Sequence, residues 1–294
     1  MPRVRCSTLL AAAFAASLST LILAWPARAA QDRWFTTSDG VRLHLLEDGS
    51  PTAPPILFVP GWTMPAWIWQ AQLATFAPRY HVFAMDPRGQ GSSDVPENGY
   101  TPRRRGQDIA EIVQALGGGS RRVLLVGWSL GVLDSLAYVH ERGDGALAGL
   151  VLVDNSVGEP PAPVAREALP RRGPRVEREV AMRRFVTSMF RRDPGPAYLD
   201  ELTETALRTP PGAAAALLSY PVPRTYWREA LLSVRAPVLY IVRPHLAAQA
   251  ANLAADSPVA ETEVFEGAGH ALFVDDAARF DADLSDFIQR RVRW

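Results

Sequence analysis

The chain has 294 residues, 48% of them hydrophobic, with 31 basic side chains balanced by 31 acidic ones. That length and apolar content suit one large α/β domain with a substantial core, and the balanced charge offers none of the basic field through which proteins hold nucleic acid. No lysine occurs, which excludes Schiff-base chemistry and a phosphate-loop lysine.

The first element reads as an export signal. Arg3 and Arg5 form a positive start, 9–25 is an apolar stretch diluted by Ser and Thr, and Ala27-Arg28-Ala29 is a small-residue cleavage site. A signal peptide over 1–29, with a mature chain starting at Ala30, implies a bacterial periplasmic or secreted protein. An uncleaved anchor fits less well, because the run is short for a membrane span and ends at Pro26. Cys6 is the single cysteine and leaves with this segment, so the mature chain is expected to lack disulfides and thiol chemistry. No later stretch is apolar enough for stable membrane insertion, and the oligomeric state is open.

Two runs, 34–37 and 41–46, flank the turn Ser38-Asp39-Gly40 and predict a hairpin. Apolar strand-like runs follow at 56–59, 81–85, 123–126 and 150–153, separated by helical patterns near 67–76, 104–116 and 130–141. Further strands at 238–242 and 263–265, with helices near 245–255 and 275–291, continue the alternation. Alternating strands and helices imply a largely parallel sheet covered on both faces. Residues 155–233 interrupt it with the proline cluster Pro160-Pro161-Pro163, an arginine-rich stretch at 171–192 and short amphipathic pieces at 176–190 and 197–207. Placed between two strands, this insert is expected to cover the strands' C-terminal edge, where open α/β sheets hold their sites. Its arginines could meet an anionic substrate or a membrane surface, or simply form a solvated helix face balanced by Glu177, Glu179 and Asp193.

The chemistry is carried by Gly127-Trp128-Ser129-Leu130-Gly131, a G-x-S-x-G sequence between the run 123–126 and a helical pattern. In that setting the two glycines permit a sharp strand-to-helix turn that lifts the Ser129 hydroxyl clear of the sheet. The amide of Leu130 and the helix N-terminus then face any oxyanion formed there. Serine needs a base, and His270 in Gly267-Ala268-Gly269-His270 stands in a glycine loop just past the last expected strand. His44, His81, His140 and His245 occupy less suitable places.

With these landmarks the chain resembles the α/β-hydrolase superfamily. Phe58-Val59-Pro60-Gly61-Trp62-Thr63 resembles its oxyanion loop, and Asp86-Pro87-Arg88-Gly89-Gln90-Gly91-Ser92-Ser93 its D-x-R-G-x-G-x-S loop. Gly127 to Gly131 resembles its nucleophile elbow, and the loop ending at His270 its histidine loop. The resemblance implies an eight-stranded, mostly parallel sheet flanked by helices with a helical cap after the sixth strand. The expected division is therefore a core of 30–154 and 234–294 with a cap of 155–233. It also implies an oxyanion hole from the amides of Trp62 and Leu130, although Pro60 replaces the usual histidine before Gly61.

The family commonly carries its acid after the seventh strand, where this chain reads Val242-Arg243-Pro244-His245-Leu246-Ala247-Ala248-Gln249, with no carboxylate before Asp256. Some relatives place it at the end of the sixth strand, the position of Asp154. The resemblance thus implies Asp154 as the acid, with Asp256 or an acid-free dyad as alternatives.

Serine at the elbow argues against haloalkane dehalogenase and epoxide hydrolase chemistry, which needs aspartate there. The expectation is an exported serine esterase acting on small or medium carboxylic esters without metal or cofactor. Trp62, Met64, Trp67, Trp128, Tyr226 and Trp227 are candidates to line an acyl pocket, with core packing as the favoured alternative for all but Trp62 and Trp128, which adjoin the expected catalytic elements. The same machinery would serve acyl transfer, carbon–carbon bond hydrolysis or perhydrolysis. A non-catalytic periplasmic binding protein of the same fold is the reading from another class.

Overall fold

A computed structural model describes residues 30–117, 119–162 and 175–294; the expected signal peptide at 1–29 lies outside them. Strands β1 (Gln31–Thr36) and β2 (Arg42–Asp48) form the N-terminal hairpin, turning at Gly40 with φ 83°. Next come β3 (Pro55–Val59), α1 (Gln70–Phe76), β4 (His81–Met85), α2 (Pro102–Gly117), β5 (Val123–Trp128), α3 (Leu130–Arg142) and β6 (Leu147–Val153). Among the described residues, four helices precede the next strand: α4 (Arg175–Ser188), α5 (Pro196–Arg208), α6 (Pro211–Leu217) and α7 (Arg224–Leu232). The chain closes with β7 (Val238–Val242), α8 (Ala247–Asp256), β8 (Ala260–Val264), α9 (Leu272–Asp275) and α10 (Ala277–Arg291).

The eight strands form one sheet in the order β1-β2-β4-β3-β5-β6-β7-β8. β2 pairs antiparallel with β1 and β4, and all other neighbours are parallel. This is the mostly parallel, helix-flanked sheet of an α/β hydrolase. Central strands read as unbroken apolar runs because both faces are buried. Ile56 and Phe58 of β3 face one core with Leu73, Phe280 and Phe287, while Leu57 and Val59 face the other with Ile109, Leu136 and Leu253, as the two-residue repeat of a strand requires.

That order positions the site. From β3 the chain steps to β4 on one side and then returns to place β5 on the other, so the loops after β3 and β5 leave the sheet together at a switch point. Val59 pairs with Gly127, Trp128 with Val153, and Val153 with Ile241. The ends of β3, β5, β6 and β7 therefore lie side by side along one edge.

Two strand bounds depart from the sequence reading. β8 covers Ala260–Val264 and not 263–265, because this edge strand carries Glu261, Thr262 and Glu263 and gives little apolar signal; the pairing continues to Phe265, whose N–H donates to Val242 C=O at 2.8 Å. β6 begins three residues earlier than expected, at Leu147. Within 155–233, α4 and α5 pack on the core face of α1 and α10, whereas α7 buries Ala230 and Leu231 on the face of α2 and α3.

Candidate active site

Ser129 joins β5 to α3 with φ 55° and ψ −117°, a backbone conformation that costs a non-glycine residue about 1–3 kcal/mol. Its surroundings hold it there. The Ser129 N–H donates to Val153 C=O at 2.9 Å, and its carbonyl accepts from Val132 N–H at 3.0 Å and from Asn155 Nδ2 at 2.8 Å. The flanking glycines are required by close approach. A Cβ on Gly127 would sit 2.4 Å from Gly131 O, and one on Gly131 would sit 2.4 Å from Val59 O.

The Ser129 hydroxyl lies 2.8 Å from His270 Nε2, and His270 Nδ1 lies 2.6 Å from Asp154 Oδ2. The histidine is fixed from behind: Trp128 Nε1–H donates to His270 C=O at 2.8 Å, and its ring packs 5.1 Å from the imidazole. Asp275 accepts from the amides of Gly269 (2.6 Å), Arg191 (2.8 Å) and Arg192 (3.1 Å), and Ala271 N–H reaches Met189 C=O at 2.9 Å. The histidine loop is thereby tied to the segment after α4.

Asp154 follows β6 with φ 50°, and its N–H donates to Ile241 C=O at 2.8 Å. It is buried at 2% exposure. Burial is the largest single influence on its carboxyl and opposes ionisation, but the hydrogen bond and charge of His270, with the charge and amide of Arg243, outweigh it. The acid therefore titrates below its ordinary value and stands as a carboxylate beside the imidazole.

The loop after β3 faces the elbow. A Cβ on Gly61 would meet Ser129 Cβ at 3.0 Å. Thr63 holds φ 59°, and its N–H bonds to the buried Gln90 Oε1. Among the described residues neither the Trp62 N–H nor the Leu130 N–H has an acceptor. The Trp62 side chain is clasped by the insert: its Nε1–H donates to Ala214 C=O at 2.7 Å, and its ring meets Phe185 edge-on at 5.2 Å. Leu130 packs with Leu217 and Ala213 of α6.

The other expected residues have different surroundings. Met64 and Trp128 are wholly buried in the core that contains Phe58 and Trp69, and Trp128 acts on His270 from that core. Trp227 lies in α7 against Tyr226 and Tyr220, in the core on the α3 face. Asp256 ends α8 and pairs with Arg228 at 2.5 Å. Asn155, Asp275, Gln90 and Arg243, which the sequence alone does not mark for a role, touch the elbow, the histidine loop, the oxyanion-type loop and the acid. Gln90 belongs to the Asp86–Ser93 motif, and Arg243 to the carboxylate-free segment after β7. No group of three or more His, Cys, Asp or Glu placed to hold a metal ion occurs among the described residues, and no described helix is long and apolar enough to cross a membrane.

Residues 56–282 match the sequence profile of the Alpha/beta hydrolase family, and the chain belongs to that family. It is similar to a non-heme chloroperoxidase of Streptomyces lividans, 34% identical over 119 residues covering 40% of this chain and 42% of that one. It is also similar to a bifunctional esterase/perhydrolase of Acinetobacter calcoaceticus, 31% identical over 138 residues covering 47% and 48%. The chain spans less than half the length of these relatives. Among solved structures, a proposed aryl esterase of Burkholderia cenocepacia superposes with a TM-score of 0.77 at 27% identity, covering 88% of this chain and 98% of that one. An esterase of Rhodococcus sp. ECU1013 superposes with a TM-score of 0.72 at 26% identity, covering 88% and 99%.

Proposed function

We propose that this α/β hydrolase is an exported serine esterase that cleaves small or medium carboxylic esters through an acyl-enzyme on Ser129. The observation that carries the reading is the continuous line Ser129 Oγ, His270 Nε2, His270 Nδ1, Asp154 Oδ2, with contacts of 2.8 and 2.6 Å, the spacing proton transfer needs. Ser129 Oγ attacks the ester carbonyl carbon while His270 Nε2 takes its proton. Asp154 holds the neutral tautomer with the proton on Nδ1 and stabilises the imidazolium that forms. The amides of Trp62 and Leu130, free of acceptors among the described residues, receive the oxyanion. The imidazolium then protonates the departing alcohol, and a water deprotonated by His270 releases the acid.

The insert supports a modest acyl group. Phe185 from α4 and the α6 residues Ala213 and Leu217 bring apolar surface to Trp62 and Leu130, the two residues beside the proposed oxyanion position. Similarity to solved esterase structures at 26–27% identity supports the esterase reading. In a second reading, hydrogen peroxide and not water resolves the acyl-enzyme and yields a peracid; the named chloroperoxidase and esterase/perhydrolase relatives favour it.

A panel of p-nitrophenyl esters of increasing acyl length, run with and without hydrogen peroxide, tests the proposal. Turnover of the shorter esters is expected, and a chain that labels with no serine-directed probe and cleaves no ester would overturn it.

A further inference from the structure

With Asp154 as the proposed acid at the end of β6, the segment after β7 has no carboxylate before Asp256, and its first residue, Arg243, turns back to Asp154. Its backbone N–H donates to Asp154 Oδ1 at 3.0 Å and its Nε–H to Asp154 Oδ2 at 2.6 Å. Oδ2 is also the oxygen that accepts from His270 Nδ1 at 2.6 Å. The guanidinium Nη2 stands 3.4 Å from His270 Nδ1 itself. Since Nδ1 carries the proton shared with Asp154, this contact sets one donor beside another. The side chains of Arg243 and Asp154 are 16% and 0% exposed, so water screens the trio little.

Resting on the serine-esterase reading, we propose that Arg243 is a positioning residue: it clamps the Asp154 carboxylate in the orientation His270 needs. Two contacts to two different oxygens fix both the rotation and the tilt of the carboxylate. Around His270 the neighbouring groups are each engaged. Asp154 faces it from the end of β6, Ser129 from the elbow, and the Trp128 ring from the core. Asp275 of α9 is committed to the amides of Gly269, Arg191 and Arg192. Tyr240 of β7 donates its hydroxyl to Asn155 C=O.

An arginine that only secured the fold would alter melting temperature and leave kcat of the folded enzyme unchanged. The test is therefore kcat and KM for p-nitrophenyl butyrate in the full chain, Arg243→Gln and Arg243→Lys, with melting temperatures alongside. For Arg243→Gln kcat is expected to fall by up to about 10²-fold with KM little changed. Arg243→Lys keeps the charge without the planar guanidinium and should recover only part of that loss. A folded Arg243→Gln protein with the kcat of the unaltered chain overturns the proposal. Should Arg243→Gln not fold, Arg243→Lys decides, and unchanged kcat in that variant also overturns it. Fluorophosphonate labelling of the unaltered chain separates the two readings: a chain that neither labels nor turns over ester ends both, whereas labelling and turnover with unchanged kcat in the variants end only the role of Arg243.

Discussion

His270 Nε2 lies 2.8 Å from Ser129 Oγ across 141 positions of chain. Strand register explains the meeting. β5 and β6 run parallel with Trp128 opposite Val153, so Ser129 and Asp154 leave adjacent strands at the same level. The next pair, β7 and β8, delivers the histidine loop to that edge, where Phe265 N–H still holds Val242 C=O at 2.8 Å.

The position of Asp154 gives the first prediction. Asp154→Asn replaces a carboxylate with an amide that can also stabilise the wrong imidazole tautomer, and kcat for ester hydrolysis is expected to fall by about 10³- to 10⁴-fold. Asp256→Asn, whose partner is Arg228, is expected to keep near-normal rates. Steady-state kinetics of the two purified variants checks both, and the reverse ranking would contradict the assignment.

Gly131→Ala tests the packing of the elbow. The added methyl would sit 2.4 Å from Val59 O and 2.8 Å from Pro60 O, and backbone has no rotamer with which to withdraw. Stability should drop by about 1–3 kcal/mol as β3 and α3 are forced apart, with activity falling as the loop carrying Trp62 shifts. Urea denaturation measures the loss; an unchanged midpoint would show that the contact relaxes freely.

The α/β fold was legible because its signals are local. Buried parallel strands such as 56–59 and 123–126 stand out as short apolar runs, and the elbow and histidine loop carry their glycines within a few residues of the reactive side chain. What escaped depends on meetings through space. β8 is a polar edge strand, with Glu261 facing Arg290 and Arg291. Trp227 belongs to an amphipathic helix whose pattern does not tell which side of the sheet it will cover. The segment after β7 reads as lacking a carboxylate, and only adjacency to β6 turns that same segment into the place where Arg243 meets Asp154. Asn155 and Asp275 likewise bond backbone groups distant in sequence, and nothing in their neighbours announces it.

Acid stability gives a prediction remote from Ser129. Partial burial alone would raise the Asp39 carboxyl, but hydrogen bonds from Arg88 and Thr37, with the charges of Arg88 and Arg104, outweigh it and lower the pKa from 3.8 to about 2. A depressed folded-state value means stability that is present above pH 4 and lost as pH falls towards 2. Asp39 is partly exposed, which screens the effect to about 1 kcal/mol. Asp39→Asn is therefore expected to be the less stable protein at pH 7, with the difference closing near pH 2, as read by thermal melts across that range.

Export is expected from the tripartite pattern at 1–29, with Ala30 as the new N-terminus. N-terminal sequencing of protein recovered from the periplasm of a Gram-negative host checks this. An intact Met1, or retention in carbonate-washed membranes, would contradict it.

The central claim is that Ser129 is the nucleophile. Its most direct test is intact-protein mass spectrometry after exposure to a fluorophosphonate, followed by peptide mapping, on the full chain and on Ser129→Ala. One adduct at Ser129 is expected, absent from a Ser129→Ala protein that melts normally and has lost ester hydrolysis. An adduct elsewhere, or substantial ester turnover by Ser129→Ala, would contradict the account.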